Sequence, residues 1–446
     1  MAGLAAARVL SDHFGEVTVL ERDELVDHPQ PRKGVPQGRH IHALLSKGAQ
    51  ILEGWLPGLT DELVAEGAVR IDLGTELRWS WHGYVMCRYE SGGPQIWATR
   101  PFIEHHVRRR VAALPNVTIT SSSGVDGLLT NPGGAVRGVV DTRGSEIPAE
   151  LVVDCSGRVG RSVSWLAALG CPEPPVDHVK IDMAYSTITF DADQSPEDGW
   201  QACLINTGPP LRRLAFMGPA EGGRTMLTVA GFHADHPPSD PEGLSEFVAS
   251  FPDQYIGRAL ARAGEVGSVT THRMASNQWR RMNKLAAPPP GVVALGDSVV
   301  SFDPVYGQGM TSSVVQAQAL GEVIREVAST NPSFPKRFYR RQAKVITPLW
   351  QMAAGGDFDH PETTGPKPPG ATFANWYQLR MVKAMVTSEA VSRVGTDVFT
   401  LLAPPYALFK PSVLGRVLTA HAEPQFPATA PGAAQLVPTS RGNSRR

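Results

Sequence analysis

The sequence predicts a mixed α/β fold with a nucleotide-binding unit at its centre, and three segments carry that prediction. The first is GVVALGDSVVSFDPVYGQGMTSSVVQAQAL, residues 291–320. Its apolar run, residues 292–295, reads as a short buried strand. Gly296-Asp297 closes the strand, and a loop with Pro304, Gly307 and Gly309 follows. From Met310 a helix is expected, because Met310, Val314, Ala317, Leu320, Ile324 and Val327 recur at the three- and four-residue spacing of one buried face. A strand, a carboxylate at its end and a glycine loop feeding a helix N-terminus can grip a bulky anionic ligand, since exposed backbone N–H groups and the positive helix end attract negative charge.

The second segment is MAGLAAARVLSDHFGEVTVLERDEL, residues 1–25. Residues 3–14 read as an alanine-rich helix, Gly15 ends it, and residues 17–20 form a strand terminating in Glu21. This is the second half of a Rossmann-like βαβ unit, in which an acidic residue about twenty positions beyond the glycines receives the ribose hydroxyls. Gly3 takes the place of the last glycine of G-x-G-x-x-G, where close packing of helix on strand is expected. The first strand and the earlier glycines of that motif do not occur in these residues, so Met1 is expected to be a misassigned start or a truncation point. The third segment is a β-meander: residues 136–141, a Thr142-Arg143-Gly144 turn, and residues 147–154.

Bulk properties narrow the classes. At 446 residues, two to three domains are expected at roughly 150 residues each. A composition of 42% hydrophobic and 19% charged residues supports an ordinary globular core. The formal charge of −1 provides no electrostatic case for nucleic acid. Arg108, Arg109 and Arg110 share a helix with Phe102, Ile103, Val107 and Val111 and read as its solvated face. Cys87, Cys155, Cys171 and Cys203 are scattered without a C-x-x-C pair, which indicates neither a disulfide framework nor a zinc site. His40 and His42 share a strand face but have no third ligand at metal spacing. With no signal peptide or long apolar span, a cytoplasmic location is expected.

The pattern G-D-x6-P-x-x-G-Q-G-M at residues 296–310 resembles the second cofactor motif of the single-component FAD monooxygenases, the family of para-hydroxybenzoate hydroxylase and squalene epoxidase. The resemblance implies FAD as cofactor. Asp297 would accept hydrogen bonds from the ribityl hydroxyls, and the backbone of Gly307, Gly309 and Met310 would lie against the pyrimidine edge of the flavin. Gly3, Glu21 and the adjacent Arg22 would form the adenosine end. Arg100, opening a helix with Pro101 in its first turn, would reach the flavin or its pyrophosphate. Arg32 would lie near the isoalloxazine, and Val125 would contact adenine through its backbone. DCSGRVGRS, residues 154–162, is similar to the family's middle motif, loosely, since Asp154 is followed by Cys-Ser-Gly where hydroxylases carry Asp-Gly. RKGVPQGRHIHALL and FDPVYGQGM are similar to the actinobacterial polyether-type polyene epoxidases.

On this resemblance the FAD domain is discontinuous: residues 1–45, 97–170 and 280–330. Residues 46–96 and 171–279 would form a mixed-sheet substrate domain, with strands at 180–190, 213–217 and 225–230 and a helix at 241–263. Residues 331–420 would be helical, and the Pro/Ala/Ser/Arg-rich 421–446 disordered. Trp79, Trp81, Tyr84 and Trp97 are candidates for a pocket wall, which favours a lipophilic substrate. The activity implied is insertion of one oxygen from O2 into a lipophilic secondary metabolite, with NAD(P)H as reductant, by epoxidation or hydroxylation. No residue identifies itself as a catalytic base. A prenyl reductase of the geranylgeranyl type shares the implied fold, and a chain unable to bind FAD is the other alternative. A flavin halogenase would carry W-x-W-x-I-P, whereas Trp79-Ser80-Trp81 continues as His82-Gly83-Tyr84. Contact of the C-terminal region with a membrane surface is a further expectation from squalene epoxidase.

Overall fold

The N-terminal helix and strand, and the strand, loop and helix of residues 291–320, form where the sequence patterns place them. The computed structural model describes residues 1–191, 197–264 and 266–427. The alanine-rich segment is the helix Ala2–Ser11, ending before Gly15, and the strand Val17–Leu20 follows. That strand pairs in parallel with Val117–Thr120. A second parallel pair joins Val152–Asp154 to Val292–Ala294. The two pairs are not hydrogen-bonded to each other. Val17 and Leu20 on one side, and Leu151 and Asp154 on the other, line one cavity between them.

The helix Gly309–Glu326 is the central packing element, and Met310, Val314, Ala317, Leu320 and Val323 are buried on it. Ile324 and Val327, expected on the same face, are only partly buried because the helix ends at Glu326. It packs closely on the first helix: a Cβ added at Gly321 would lie 2.6 Å from Val9 Cγ1. A Cβ added at Gly3, where close packing of helix on strand was expected, would meet Cys155 Cβ, just past the strand Val152–Asp154, at an ordinary 3.7 Å. Buried amides then hold the strand Val292–Ala294 and its following turn. The Gln342 amide donates to Ala294 O at 2.9 Å and to Gln316 Oε1 at 3.0 Å, and the Gly296 N–H donates to Gln316 Oε1 at 3.0 Å. Ala294 N–H donates to the Tyr339 hydroxyl at 3.1 Å. Each of these polar atoms is deep in the core and therefore needs its partner.

Over this unit lies an eight-stranded sheet in the order Val300–Ser301, Thr270–Arg280, Val176–Asp191, Arg224–Phe232, Arg213–Ala220, Ala202–Asn206, Leu77–Trp81 and Tyr84–Val85. Its pairs are antiparallel except for Ala202–Asn206 against Leu77–Trp81, which makes it mixed. Residues 331–420 are largely helical, as Phe334–Gly356, Ala371–Met385, Glu389–Phe399 and Pro411–Thr419.

Two elements differ from the sequence reading. Residues 147–154 split, because Glu146–Pro148 stays antiparallel to Val136–Asp141 while Val152–Asp154 leaves to pair with Val292–Ala294. The helix expected over 241–263 is two, Pro241–Ala249 and Tyr255–Ala261, broken at Pro252, whose ring cannot continue a helix. Helix Ser46–Trp55, grouped by sequence with the substrate domain, lies against the helix Gly309–Glu326, with Gly48 seated on Thr311. Within the expected disordered tail, residues 421–427 are described, and Gln425 N–H donates to Gly83 O at 2.8 Å; the rest of that expectation lies outside the described residues.

Candidate functional site

A cavity of about 1620 Å³ runs between the two strand pairs and under the large sheet. It exceeds the roughly 300–1,000 Å³ of ordinary ligand pockets. At one end Glu21 and Arg22 border it, with Val125 nearby; at the other stand Asp297, Gly307, Gly309 and Met310. Gly3 borders the same cavity, in the first turn of its helix.

The far end is built to receive a polar ligand edge. Gly307 has a left-handed φ of 62° and turns the chain so that the helix starts at Gly309. No side chain caps that helix, so its first backbone N–H groups are left to the cavity. A Cβ at Gly309 would meet no atom within 4 Å, so the glycine leaves room for a ligand and not for a protein neighbour. Burial raises the Asp297 carboxyl above its usual value, while Arg100, the Met1 amino group and Arg158 act in the opposite direction. Arg100 Nε has no hydrogen-bond partner, although Glu104 lies 3.6 Å away. Bare N–H donors, a carboxylate at the cavity wall and an arginine with free hydrogen-bonding capacity suit a long ligand bearing hydroxyls, a pyrophosphate and a polar ring edge, and FAD fits these requirements.

The other sequence-selected residues fall out differently. Arg32 lies at the acidic end, 2.8 Å from Glu21 and 3.4 Å from Asp23, with Glu104 also in contact. Glu21 thus already holds a guanidinium where ribose hydroxyls were expected, and Arg32 stands beside it. Arg22 is largely exposed. The Asp154 carboxylate accepts from Ser156 N–H and Ser162 N–H, both at 2.8 Å, and from the Ser162 hydroxyl. It is used up in holding its own turn. Arg108 donates to Val26 O, while Arg109 and Arg110 pair with Glu62, and Arg109 also with Glu66.

His40 and His42 both border the cavity. His40 Nδ1 lies 2.8 Å from Thr187 Oγ1, which lies 2.7 Å from Thr228 Oγ1, while His40 Nε2 has no partner. Burial, followed by the charges of His272, His42 and Arg39, lowers the His40 pKa to about 3. The unfolded chain, with a histidine value near roughly 6.5, therefore takes up this proton first as pH falls, and stability declines from that pH downward. A His40→Asn variant is expected to lose part of that decline, which thermal unfolding between neutral and acidic pH measures.

Beside the large cavity lies a narrow apolar one of about 60 Å³, bordered by Leu77, Trp79, Trp97, Leu204, Phe216 and Phe399. Tyr185, Pro304, Gly307 and Ala43 border both cavities. Of the four aromatics singled out by sequence, Trp79 and Trp97 are on this wall. Trp81 faces a separate small cavity, and Tyr84 lies under Lys383. Sequence reasoning missed Tyr185, His272, Gln308 and Asp303 on the cavity wall. Gln308 and Asp303 sit inside the recognised glycine-loop motif, but an Asp before Pro reads as an ordinary turn residue.

This architecture is that of flavin-dependent monooxygenases and halogenases. A probable FAD-dependent monooxygenase, PqsL of Pseudomonas aeruginosa, superimposes with a TM-score of 0.55 at 16% identity, covering 84% of this chain and 94% of that one. The flavin-dependent brominase Bmp2 gives 0.63 at 15% identity over 93% and 96% of the chains. A flavoprotein/dehydrogenase of Cytophaga hutchinsonii gives 0.65 at 14% identity over 93% of each. No protein-family model matches the chain. The chain belongs to the family of Protein Rv3254 of Mycobacterium tuberculosis, with 31% identity over 438 residues, 94% of this chain and 91% of that protein.

Proposed function

We propose that this protein is an FAD-dependent monooxygenase that takes electrons from NAD(P)H and places one oxygen atom of O2 in a lipophilic substrate. The observation that carries the reading is the cavity end where Asp297, the uncapped start of the helix at Gly309 and Arg100 converge beside an apolar cavity. Bound FAD would supply the oxygen-activating chemistry; the chain supplies position and exclusion of water. Asp297 would hold ribityl hydroxyls, the Gly309–Met310 backbone would face the flavin's pyrimidine edge, and Arg100 would reach the pyrophosphate or ring. Glu21 and Arg32 together would bind the adenosine side. The apolar wall of Trp79, Trp97, Leu204 and Phe216 supports a lipophilic substrate. The likeness of residues 32–45 and 302–310 to polyether-type polyene epoxidases supports an alkene of secondary metabolism, and hydroxylation of an aromatic ring is the other outcome of the same chemistry. PqsL itself has been captured with 2-aminobenzoylacetate.

Purified protein should carry or take up flavin, read from its absorbance. O2, NADPH and oxygenated product should then be consumed and formed one to one; reduction of substrate without O2 uptake would identify a reductase instead. Asp297→Ala should weaken FAD binding about tenfold to a hundredfold, the worth of charge-assisted hydrogen bonds, with the fold intact by circular dichroism. No helix of the described residues is long and apolar enough to cross a membrane. Exposed Phe373, Trp376, Tyr406 and Phe409, with Arg380 and Lys410 near them, support peripheral contact of a cytoplasmic protein with a membrane surface, which vesicle co-sedimentation would test.

A further inference from the structure

Two carboxyl groups that no cofactor-binding role requires are buried behind the glycine loop. Asp303 is 2% exposed and Asp357 6%, and the fully buried Asn277 joins them. The Asn277 amide donates to Asp357 Oδ2, and its Oδ1 accepts the Asp303 N–H at 2.5 Å. Asp303 Oδ1 accepts the Val305 N–H at 2.9 Å, but Asp303 Oδ2 has no partner. Asp303 is part of the wall of the large cavity. Asp357 is part of the wall of a separate small cavity of about 40 Å³, together with His82, Asp359 and His360. There His82 Nε2 lies 3.3 Å from Asp359 Oδ2, and both side chains reach solvent. Among the described residues neither Asp303 nor Asp357 forms an ion pair with a lysine or arginine.

A turn cap explains Asp303 Oδ1, and nothing more. It leaves unexplained why an aspartate, and not an asparagine, keeps an unpartnered oxygen at a cavity wall beside a second buried carboxyl. Two carboxylates in such a place resist being charged together, which favours retention of a proton by the pair. We infer that Asp303 and Asp357 form a proton relay, with Asp303 Oδ2 as the group that gives a proton into the cofactor cavity and Asp357 as the group that replaces it from the His82–Asp359 side. The inference rests on the flavin-dependent reading. Oxygen transfer to a substrate S consumes one external proton, as S + O2 + NAD(P)H + H⁺ → SO + NAD(P)⁺ + H2O. Without a substrate, NADPH + O2 + H⁺ → NADP⁺ + H2O2 consumes one as well. A cavity that excludes water needs a side chain to carry that proton inward.

Burial raises the Asp303 carboxyl above the ordinary range, and burial together with the charge of Asp303 raises Asp357 further. The other titratable groups around the pair are Tyr306, whose phenol is held protonated by burial and then by Asp303, Asp357 and Asp359, and the partly exposed Asp359, His82 and His360. Burial, against the opposing charge of Asp359, lowers His360 to about 4, so it adds no positive charge at neutral pH.

The test has two arms. In the flavin-free chain, unfolded aspartates ionise near roughly 4 while the buried pair resists. Wild-type stability is therefore lost as pH rises from there through the folded values. Asp303→Asn and Asp357→Asn keep the hydrogen bonds but remove an ionisable group. Their melting temperatures, relative to wild type, should climb as pH rises from 4 to 8. In the FAD-loaded protein, with NADPH and O2 as the only reactants, peroxide formation should fall at least tenfold in Asp303→Asn with FAD affinity within threefold of wild type, and Asp357→Asn should shift its pH profile. Parallel stability profiles in all three proteins would overturn the shared buried proton. Unchanged turnover and pH profile in FAD-loaded Asp303→Asn would overturn the relay. Failure of every protein to bind FAD would instead defeat the flavin reading and, with it, the relay's role, leaving the stability arm to report the pair itself.

Discussion

Gly296→Ala is expected to cost about 2–5 kcal/mol of stability, the sum of a left-handed backbone penalty and overpacking. Gly296 closes the strand Val292–Ala294 with a φ of 73°, a conformation that side chains resist. A Cβ there would lie 2.6 Å from Ala2 Cβ and 3.3 Å from Ser313 Oγ. The first of these contacts is against a helix that cannot move alone, because it is packed through Val9 on Gly321. Any shift passes directly to Asp297, so FAD affinity should fall together with stability. Gly309→Ala is the matching control. Its Cβ would enter open cavity, so urea unfolding should stay near wild type while FAD binding drops. If Gly309→Ala bound FAD normally, the flavin would not lie against this turn.

Asp253→Ala should be equally damaging for a different reason, at about 3–5 kcal/mol by denaturant unfolding. Arg78 and Asp253 form an ion pair with side chains only 10% and 2% exposed. Asp253 also accepts the Tyr255 N–H at 3.1 Å, which starts the helix Tyr255–Ala261. Removing the carboxylate strands a guanidinium between Tyr255 and Phe426, at 5.1 and 5.6 Å from their ring centres. Exposed pairs on the same chain, such as Arg70 with Asp61 at 2.6 Å, should change stability by less than about 1 kcal/mol when broken. The contrast separates desolvation from proximity, because both pairs are close.

Much of the proposed cofactor end is legible in the sequence. The helix at residues 309–326 follows from apolar spacing, the turn at Gly307 from its residue type, and the exposed N–H groups from the helix start itself. All three are properties of a few neighbouring residues. The break at Pro252 was equally legible, since a proline ring cannot continue a helix, although the sequence reading runs one helix through 241–263. The departure of Val152–Asp154 from the meander was not legible, because nothing in those residues names Val292–Ala294 as their partner.

Charge placement marks the boundary most clearly. The family resemblance assigned Arg32 and Glu21 to opposite ends of a ligand, whereas the fold sets them 2.8 Å apart. Asp303 was in plain view inside the glycine-loop motif, yet its meaning depends on Asp357 and Asn277, which arrive from a distant helix end and from a strand of the large sheet. The sequence by itself determined the N-terminal helix and strand, the glycine loop and the helix that loop feeds, since backbone conformation and amphipathic period are set within a few residues. Tertiary structure alone decided which charges meet, which lose water and which face a cavity, because burial and electrostatic pairing depend on distances between segments that are remote along the chain.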